Sequence, residues 1–206
     1  MKIQAYKTIK TPAEFELKEK KSVFLAKTFP VSDEGNVDSI LTDMKKKYYD
    51  ASHRCYAYRL LSGKSKFSDA GEPSGTAGIR ILNAIDHYQL QNCLVVVIRY
   101  FGGIKLGVGP LGKTYYASAI NALAKAQIIL RQSCYYIKLL ADISSLDKIT
   151  SFLLSNKIKI TKTEYEPNVS IHCLIPIDRS ANLHSKINET FRGTVTFLEE
   201  NEIIFD

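Results

Sequence analysis

Residues 99–113 have the composition of an anion-binding loop. The segment contains five glycines, one arginine and two lysines. Glycines let a backbone approach a ligand closely, and the cationic side chains can pair with phosphate oxygens. The segment follows the apolar run 94–98, which predicts a strand buried on both faces, and precedes a predicted helix, a place where α/β folds commonly bind ligands. The candidate anion-binding residues here are Arg99, Tyr100, Gly102, Gly103, Lys105 and Lys113.

The same segment contains a formal match to the Walker A phosphate-binding motif. Gly107, Gly112, Lys113 and Thr114 have the spacing of Gly-x4-Gly-Lys-Ser/Thr. Against that function, Pro110 removes one backbone N–H donor, and no later buried strand of the same domain ends in an aspartate for Mg²⁺. The sequence favours a chance match or a general anion loop over a nucleotide hydrolase. Whether the string binds phosphate is left open.

A second candidate segment, Ser68–Gly78, consists mostly of small and polar residues in front of a predicted apolar helix. Its backbone N–H groups could bind an anion at the helix N-terminus, and its two carboxylates could belong to a site for a small phosphorylated ligand. A structural turn explains the same composition and is favoured, because Ser and Thr cap helices and glycines form turns. The candidate residues are Asp69, Glu72, Ser74 and Thr76.

A third candidate is the sequence His53-Arg54-Cys55. A neighbouring imidazole can convert a thiol into a nucleophilic thiolate. Cys55 lies in an alternating apolar row, however, which favours a buried, inert thiol. His53 and Arg54 are candidates either for anion binding or for plain surface. The four cysteines of the chain lie about forty residues apart without any CxxC pair, so free thiols are expected and no metal site, cofactor or catalytic residue is predicted.

Charge is distributed unevenly along the 206 residues, whose formal net charge is +7. Residues 1–133 contain 20 basic and 11 acidic residues, a net charge of +9, and the remainder contains 8 and 10, a net charge of −2. A basic half predicts an anionic partner, most often nucleic acid, although solvated lysines explain it equally well. No apolar stretch is long enough to span a bilayer and no signal peptide is evident, so we expect a cytoplasmic protein without a membrane partner.

An α+β framework of two domains, 1–133 and 134–206, is expected to position these segments. The first domain is predicted to contain, in order, extended chain over 14–31, an amphipathic helix over 33–49, a strand over 54–61, a short helix after Gly78, the buried strand 94–98 and a long helix over 115–126. The glycine-rich segment would therefore join the central strand of this domain to its longest helix.

The second domain has the element order β-α-β-β-α-β of a ferredoxin-like fold. The strands are predicted over 135–143, 157–165, 169–177 and 194–198, with helices between the first and second and between the third and fourth. Ser144 and Asp147 predict a capping box, Pro167-Asn168 a hairpin turn, and Gly193 the end of the second helix.

Four motifs together resemble those of the IMPACT/YigZ family, namely Lys20–Phe24, His53–Tyr58, Ser68–Gly78 and Arg99–Gly107. The C-terminal part resembles the smaller domain that bacterial members append. The resemblance implies an N-terminal domain like the second domain of ribosomal protein S-five, with helices on one face of a sheet, and a ferredoxin-like C-terminal domain similar to those of elongation factor G. After Gly107 the family usually reads Gly-Thr-Gly-Gly-Leu-Val-Arg-Ala-Tyr, so Lys113 stands at an arginine position and lacks bidentate geometry.

The resemblance also implies a function. Eukaryotic IMPACT restrains a translation kinase that senses starvation, and nucleic-acid or ribosome binding is the usual proposal for bacterial relatives. We therefore expect a non-enzymatic, translation-related regulator that binds RNA or the ribosome through its basic glycine-rich loops, with Tyr56, Tyr58 and Tyr100 as stacking faces. Two alternatives are a protein-interaction module for a translation-control partner and a phosphate-binding enzyme of unknown reaction.

Overall fold

The computed structural model describes residues 4–165 and 168–206, with side chains except those of 199–202. These residues form two compact units. The N-terminal unit comprises Lys7–Leu130, and the C-terminal unit comprises the described residues 4–6 together with those of Arg131–Asp206. The chain thus passes from one unit to the other twice, after Tyr6 and after Leu130. The domain boundary after Ser133 stays a prediction.

The first part of the chain combines strands and helices, which confirms the α+β class. Its elements are β1 (Ala5–Ile9), β2 (Ala13–Glu19), β3 (Ser22–Pro30), α1 (Glu34–Lys47), β4 (His53–Arg59), β5 (Ser65–Ser68), α2 (Gly78–His87), β6 (Cys93–Tyr100) and α3 (Val108–Lys125). Five of the strands form one sheet in the order β2-β3-β6-β4-β5, and neighbouring strands are antiparallel throughout.

Strand β6 is central in this sheet, as its continuous apolar run predicts. Cys93, Val95 and Val97 face one apolar cluster with residues of α2 and α3, whereas Leu94 and Val96 face a second cluster with residues of α1. The expectation that helices cover only one face is therefore wrong. The physical reason is the run itself, because an apolar strand with both faces buried needs a helix layer on each side.

The chain predicted as one extended run over 14–31 is a hairpin. Strands β2 and β3 pair from Ala13 with Thr28 to Glu19 with Ser22, which leaves Lys20 and Lys21 as a two-residue turn. Both lysines have positive φ, +42° and +65°, as the twist of a tight hairpin requires. The hairpin was missed because lysine is not a typical residue for this backbone conformation.

The C-terminal unit has the predicted order of elements. These are β7 (Ile128–Ala141), α4 (Leu146–Ser155), β8 (Lys159–Tyr165), β9 (Val169–Pro176), α5 (Ser180–Phe191) and β10 (Val195–Phe205). Five strands form its sheet. Four of them follow the order β1-β7-β9-β8, and the fifth, β10, also pairs with β7. One apolar cluster contains the inward residues of the sheet together with Ile149 and Leu153 of α4 and Leu183 and Ile187 of α5.

Three details of the C-terminal unit were predicted less well. The capping box is wrong, because a 3-10 turn over Ile143–Ser145 moves the start of α4, and the cap residue Ser145 makes no side-chain capping bond. Strand β7 runs from Ile128 to Ala141, so it begins and ends earlier than the predicted 135–143, and β10 runs from Val195 to Phe205, well past the predicted end at 198. Of the predicted hairpin turn, Pro167 lies outside the described residues.

Gly102 supplies a test of how the glycine-rich loop is packed. A Cβ at Gly102 would overlap the backbone of Lys21, so the loop lies directly on the β2–β3 turn. We expect Gly102→Ala to lower the free energy of unfolding by about 1–3 kcal/mol, the usual cost of overpacking. The measurement is urea denaturation followed by circular dichroism.

The matched control for this substitution is Gly109→Ala. Gly109 lies inside α3, where a Cβ would meet nothing within 4 Å. Alanine is favoured over glycine in a helix by about 0.5–1 kcal/mol, so the control is expected to be neutral or slightly stabilising. Equal unfolding midpoints for the two variants would contradict the close contact at Gly102.

Candidate functional site

Asp69 organises the segment between β5 and α2. Its carboxylate accepts hydrogen bonds from the backbone N–H groups of Gly75 (2.9 Å), Ala77 (2.9 Å) and Gly78 (2.8 Å). Burial acts to raise the pKa of Asp69, but these three bonds outweigh it and the pKa is lowered. Both carboxylate oxygens take part, so Asp69 caps α2 by accepting hydrogen bonds from backbone N–H groups at the start of the helix.

The neighbouring hydroxyl residues differ in exposure. Thr76 is buried, and its hydroxyl donates to the carbonyl oxygen of Pro73 at 2.5 Å. Ser74 is exposed. Gly78 must be glycine, because a Cβ there would lie 2.8 Å from backbone atoms of Ser68. Contacts within the Ser68–Gly78 segment thus fix its conformation.

The centre of the site is a buried ion pair between Glu72 and Arg99. Glu72 Oε1 accepts from Arg99 Nη1 at 2.6 Å and from the Tyr115 hydroxyl at 2.7 Å. Both charged side chains are about 5% exposed or less. Burial, followed by the neighbouring Cys55 and Glu72, raises the pKa of Tyr115, so the hydroxyl remains protonated and donates. The ion pair thus joins Glu72 of the Ser68–Gly78 segment to Arg99 at the start of the glycine-rich segment.

The Arg99 guanidinium fills a narrow space beneath the glycine-rich loop. Its Cζ lies 5.1 Å from the ring centre of Phe24 and 5.4 Å from that of Phe101. Its Nη2 donates to Ser22 Oγ at 3.4 Å, and the same oxygen accepts from the Gly102 N–H at 3.1 Å. Arg99 Nε, which is buried, has no hydrogen-bond partner among the described residues.

His53 and Cys55 border this ion pair on β4. His53 Nδ1 lies 3.0 Å from the carbonyl oxygen of Ala70, and its Nε2 lies 3.8 Å from Glu72 Oε2. Cys55 is fully buried, and its Sγ lies 2.9 Å from the carbonyl oxygen of Asp69. Burial raises the pKa of Cys55 to about 12, so thiolate is scarce at neutral pH. The prediction of a buried, unreactive thiol is confirmed for Cys55, and the other three cysteines are also buried and free.

Arg54 and Tyr100 contact the end of α1. Arg54 Nη1 donates to the carbonyl oxygens of Tyr48 at 2.7 Å and Ala51 at 3.0 Å. The Tyr100 hydroxyl donates to Asp50 Oδ1 at 3.1 Å. Of the three proposed stacking tyrosines, Tyr58 is buried, and Tyr56 and Tyr100 are half-buried against the α1 cluster. Tyr58 therefore offers no exposed ring for stacking.

The Walker A string does not form a loop. Helix α3 begins at Val108, so Gly109 to Thr114 are helical, and the N–H of Leu111 already donates to the Gly107 carbonyl oxygen. A phosphate-binding loop needs those N–H groups free to point at a ligand. The apolar stripe led us to predict this helix only from 115, because two glycines and a proline precede it.

The charged candidates that remain in solvent are lysines. Lys105 in the loop and Lys113 on α3 are exposed, as are Lys20 and Lys21 in the turn beneath Gly102. Within the described part of the chain, none of the four has a side-chain hydrogen bond or ion pair. Phe101 and Ile104 beside them are 45% and 42% exposed. Gly103 is also exposed and has a φ of +83°.

The structure divides the candidate residues into three groups. It brings together His53, Asp69, Glu72, Thr76, Arg99 and Gly102 as internal contacts under the loops. It places Arg54 and Tyr100 against the residues that follow α1. The exposed candidates are Ser74, Gly103, Lys105 and Lys113. Sequence reasoning missed Ser22 and Tyr115, which complete the ion-pair network. Tyr115 lies in the apolar stripe of α3, so nothing in its spacing indicates a polar partner.

The described residues contain neither a metal site nor a membrane-spanning helix. No group of three or more His, Cys, Asp or Glu side chains in 4–165 and 168–206 is arranged to hold a metal ion. In the same residues, no helix has both the length and the apolar character to cross a membrane.

Comparison with known proteins covers these same segments. The family model described as the Impact N-terminal domain matches residues 20–123, which include all four motifs and the ion-pair residues. The chain belongs to the IMPACT family. IMPACT family member YvyE of Bacillus subtilis is 29% identical over 205 residues, covering 98% of this chain and 94% of that one. IMPACT family member YigZ of Escherichia coli is 27% identical, with coverage of 89% and 92%.

A solved structure supports the fold of this IMPACT-family chain over nearly all of its length. A crystal structure described as that of a hypothetical protein has a TM-score of 0.64 and 25% sequence identity, and covers 97% of this chain and 99% of its own. The relatives extend through the C-terminal unit as well, beyond the region matched by the family model.

The buried ion pair yields a stability prediction. Glu72→Ala leaves the Arg99 charge buried without a partner, so we expect the free energy of unfolding to fall by about 3–5 kcal/mol. Glu72→Gln keeps the shape and an acceptor for Tyr115, so its loss should be smaller. Both are measured by urea denaturation.

The control for this prediction is Lys64→Ala at the exposed ion pair with Glu34. That pair joins Nζ and Oε2 at 2.5 Å, with both side chains about half exposed. Exposed pairs contribute little to stability, so the midpoint should hardly move. A Glu72→Ala variant as stable as the control would show that the buried pair does not hold the loops.

Proposed function

We propose that this protein is a non-enzymatic, translation-related regulator that binds RNA or the ribosome. The binding surface is the glycine-loop surface, defined here as Lys20, Lys21, Phe101, Gly103 and Lys105. The observation that carries the proposal is the backbone contact of Gly102 with the Lys20–Lys21 turn, which brings the lysines of the hairpin beside the loop that bears Lys105.

The chemistry of the glycine-loop surface suits a nucleic-acid strand. Its three lysines have no partner in the described residues, so they are available to phosphate oxygens, which supply most of the affinity in such complexes. Phe101 offers a ring on which a base can stack, and stacking tolerates any sequence. The +9 charge of residues 1–133 favours an anionic partner over a neutral one.

The residues that bond to other groups of the protein have a different role in this proposal. Arg99, Glu72 and Asp69 hold the two loops in shape, and Arg54 holds the end of α1, so none of them contacts the partner. Asp69 and Glu72 already bind protein groups, which gives no support to a phosphate-processing enzyme. The family resemblance also implies a likeness to ribosomal protein S-five and to the ferredoxin-like domains of elongation factor G, and we include it in the proposal. A cytoplasmic location is included as an expectation from the sequence.

Salt dependence tests the RNA proposal. We expect the affinity for a labelled single-stranded RNA to fall steeply with NaCl, measured by fluorescence anisotropy. Lys21→Ala/Lys105→Ala should weaken binding and reduce the slope of log K against log[salt] by about 1.4, about 0.7 for each lost phosphate contact. The control is Lys64→Ala/Lys66→Ala, which removes the same charge at the β4–β5 hairpin, beside the start of β6 rather than its end. No binding at low salt, or binding that ignores salt, would refute RNA binding.

A protein partner is the second candidate, and the exposed apolar residues favour it. Phe101, Ile104 and Val108 are 45%, 42% and 68% exposed around one loop. Exposed apolar patches often mark protein-interaction sites. In a pull-down from cell lysate, a partner retained after nuclease treatment and lost with Ile104→Asp would favour this function. A partner released by nuclease would favour RNA.

A further inference from the structure

A pocket between α2 and α3 has a lining that the proposed function does not use. Its volume is about 440 Å³, within the range of small-ligand sites. The lining residues are Arg80, Asn83, Gly109, Gly112, Lys113 and Tyr116. Two of them are cations, two are neutral hydrogen-bonding side chains, and none is acidic. Apart from Lys113, none was a candidate from the sequence.

Arg80 differs from the other arginines of the N-terminal unit. Arg54 binds backbone carbonyl oxygens, Arg59 pairs with Asp86 at 2.6 Å, and Arg99 pairs with Glu72. Within the described residues, the Arg80 side chain has neither a hydrogen bond nor an ion pair, and the residue is exposed. A guanidinium that could bind a planar or forked anion therefore faces this pocket unused.

Gly112 shapes the pocket around Arg80. A Cβ at Gly112 would lie 3.3 Å from Arg80 Nε and 3.6 Å from its Cγ. The absence of a side chain there lets the Arg80 stem lie against α3. Gly109, one turn earlier, leaves open space where a side chain would otherwise stand. The two glycines thus create the volume and bring Arg80 to the helix that carries Lys113.

The charges around the pocket are uncompensated. Helix α3 contains no acidic residue, and the only one in α2, Asp86, is paired with Arg59. Lys113, like Arg80, makes no ion pair in the described residues. Two like charges beside one cavity repel each other unless an anion lies between them. Tyr116 and Asn83 add a half-buried ring and an amide, groups that recognise a base or a sugar rather than a bare ion.

We infer that this pocket binds a phosphate group carried by a nucleotide, with Arg80 and Lys113 on the phosphate and Tyr116 and Asn83 on the nucleoside. The phosphate comes either from a free nucleotide or from one residue of an RNA strand. In the second case the inference rests on the proposed function and adds a second contact region to the glycine-loop surface.

Titration calorimetry with adenosine 5′-monophosphate, adenosine and a single-stranded oligoadenylate tests the pocket on the full chain. At least one phosphate-bearing probe should bind, and adenosine should bind at least about tenfold more weakly, since charge-assisted bonds to phosphate are lost. Arg80→Ala and Lys113→Ala should each weaken that probe about tenfold, whereas Lys46→Ala on α1 should not. Arg80→Lys should retain part of the affinity. Melting temperatures of all variants verify that they fold.

The outcomes separate the two sources and the two proposals. Monophosphate binding that depends on Arg80 and Lys113 supports the free nucleotide, and it stands even if RNA does not bind. Oligoadenylate binding that needs these residues, without monophosphate binding, supports the RNA strand. RNA binding that depends on Lys21 and Lys105 but is unchanged in the Arg80 and Lys113 variants overturns the pocket and leaves the proposed function intact. Equal affinity for adenosine and its monophosphate, or no binding of any probe, also overturns the pocket.

Discussion

The buried ion pair between Glu72 and Arg99 joins the two loops on which the functional surface depends. Glu72 belongs to the segment between β5 and α2, and Arg99 to the end of the central strand β6. A buried charge pair is costly unless further hydrogen bonds satisfy it, and here Tyr115 of α3 and Ser22 of β3 supply them. The network therefore connects four elements at one point. The network mainly fixes the positions of the loops and adds little net stability, because the desolvation of both charges offsets much of their attraction.

The close backbone contacts follow from that arrangement. Once Arg99 fixes Phe101 and Ser22 fixes the N–H of Gly102, the loop after β6 lies on the β2–β3 turn with no room for a side chain. A similarly close backbone contact occurs at Gly78, where the start of α2 lies against the backbone of Ser68. Glycines that look like a phosphate cradle in the sequence thus serve close packing at Gly102 and Gly78. Gly103, Gly109 and Gly112 instead face open space or a pocket.

The apolar patterns predicted the framework well, because burial is a local property of sequence. The central position of β6, the amphipathic α1, the buried cysteines and the β-α-β-β-α-β order are all read from periodicity. The roles of the charged loop residues were not predictable in the same way. Glu72 and Arg99 are 27 residues apart, and neither spacing nor composition indicates that they meet. The turn at Lys20–Lys21 and the early start of α3 were missed because tertiary contacts override local propensity there.

Arginines and lysines of the N-terminal unit differ in whether they are available to a partner, so the net charge of +7 does not count binding cations. In the N-terminal unit, three of the four arginines bind groups of the protein itself, which suits a planar donor fork that can satisfy several acceptors at once. The exposed lysines around Gly102, by contrast, remain hydrated and unpaired among the described residues. The overall positive charge therefore overstates the number of cations available to a partner near the loops. The available cations are the lysines of the glycine-loop surface and, at the pocket, Arg80 of α2 and Lys113 of α3. Substitutions at these positions should therefore alter binding without altering the fold.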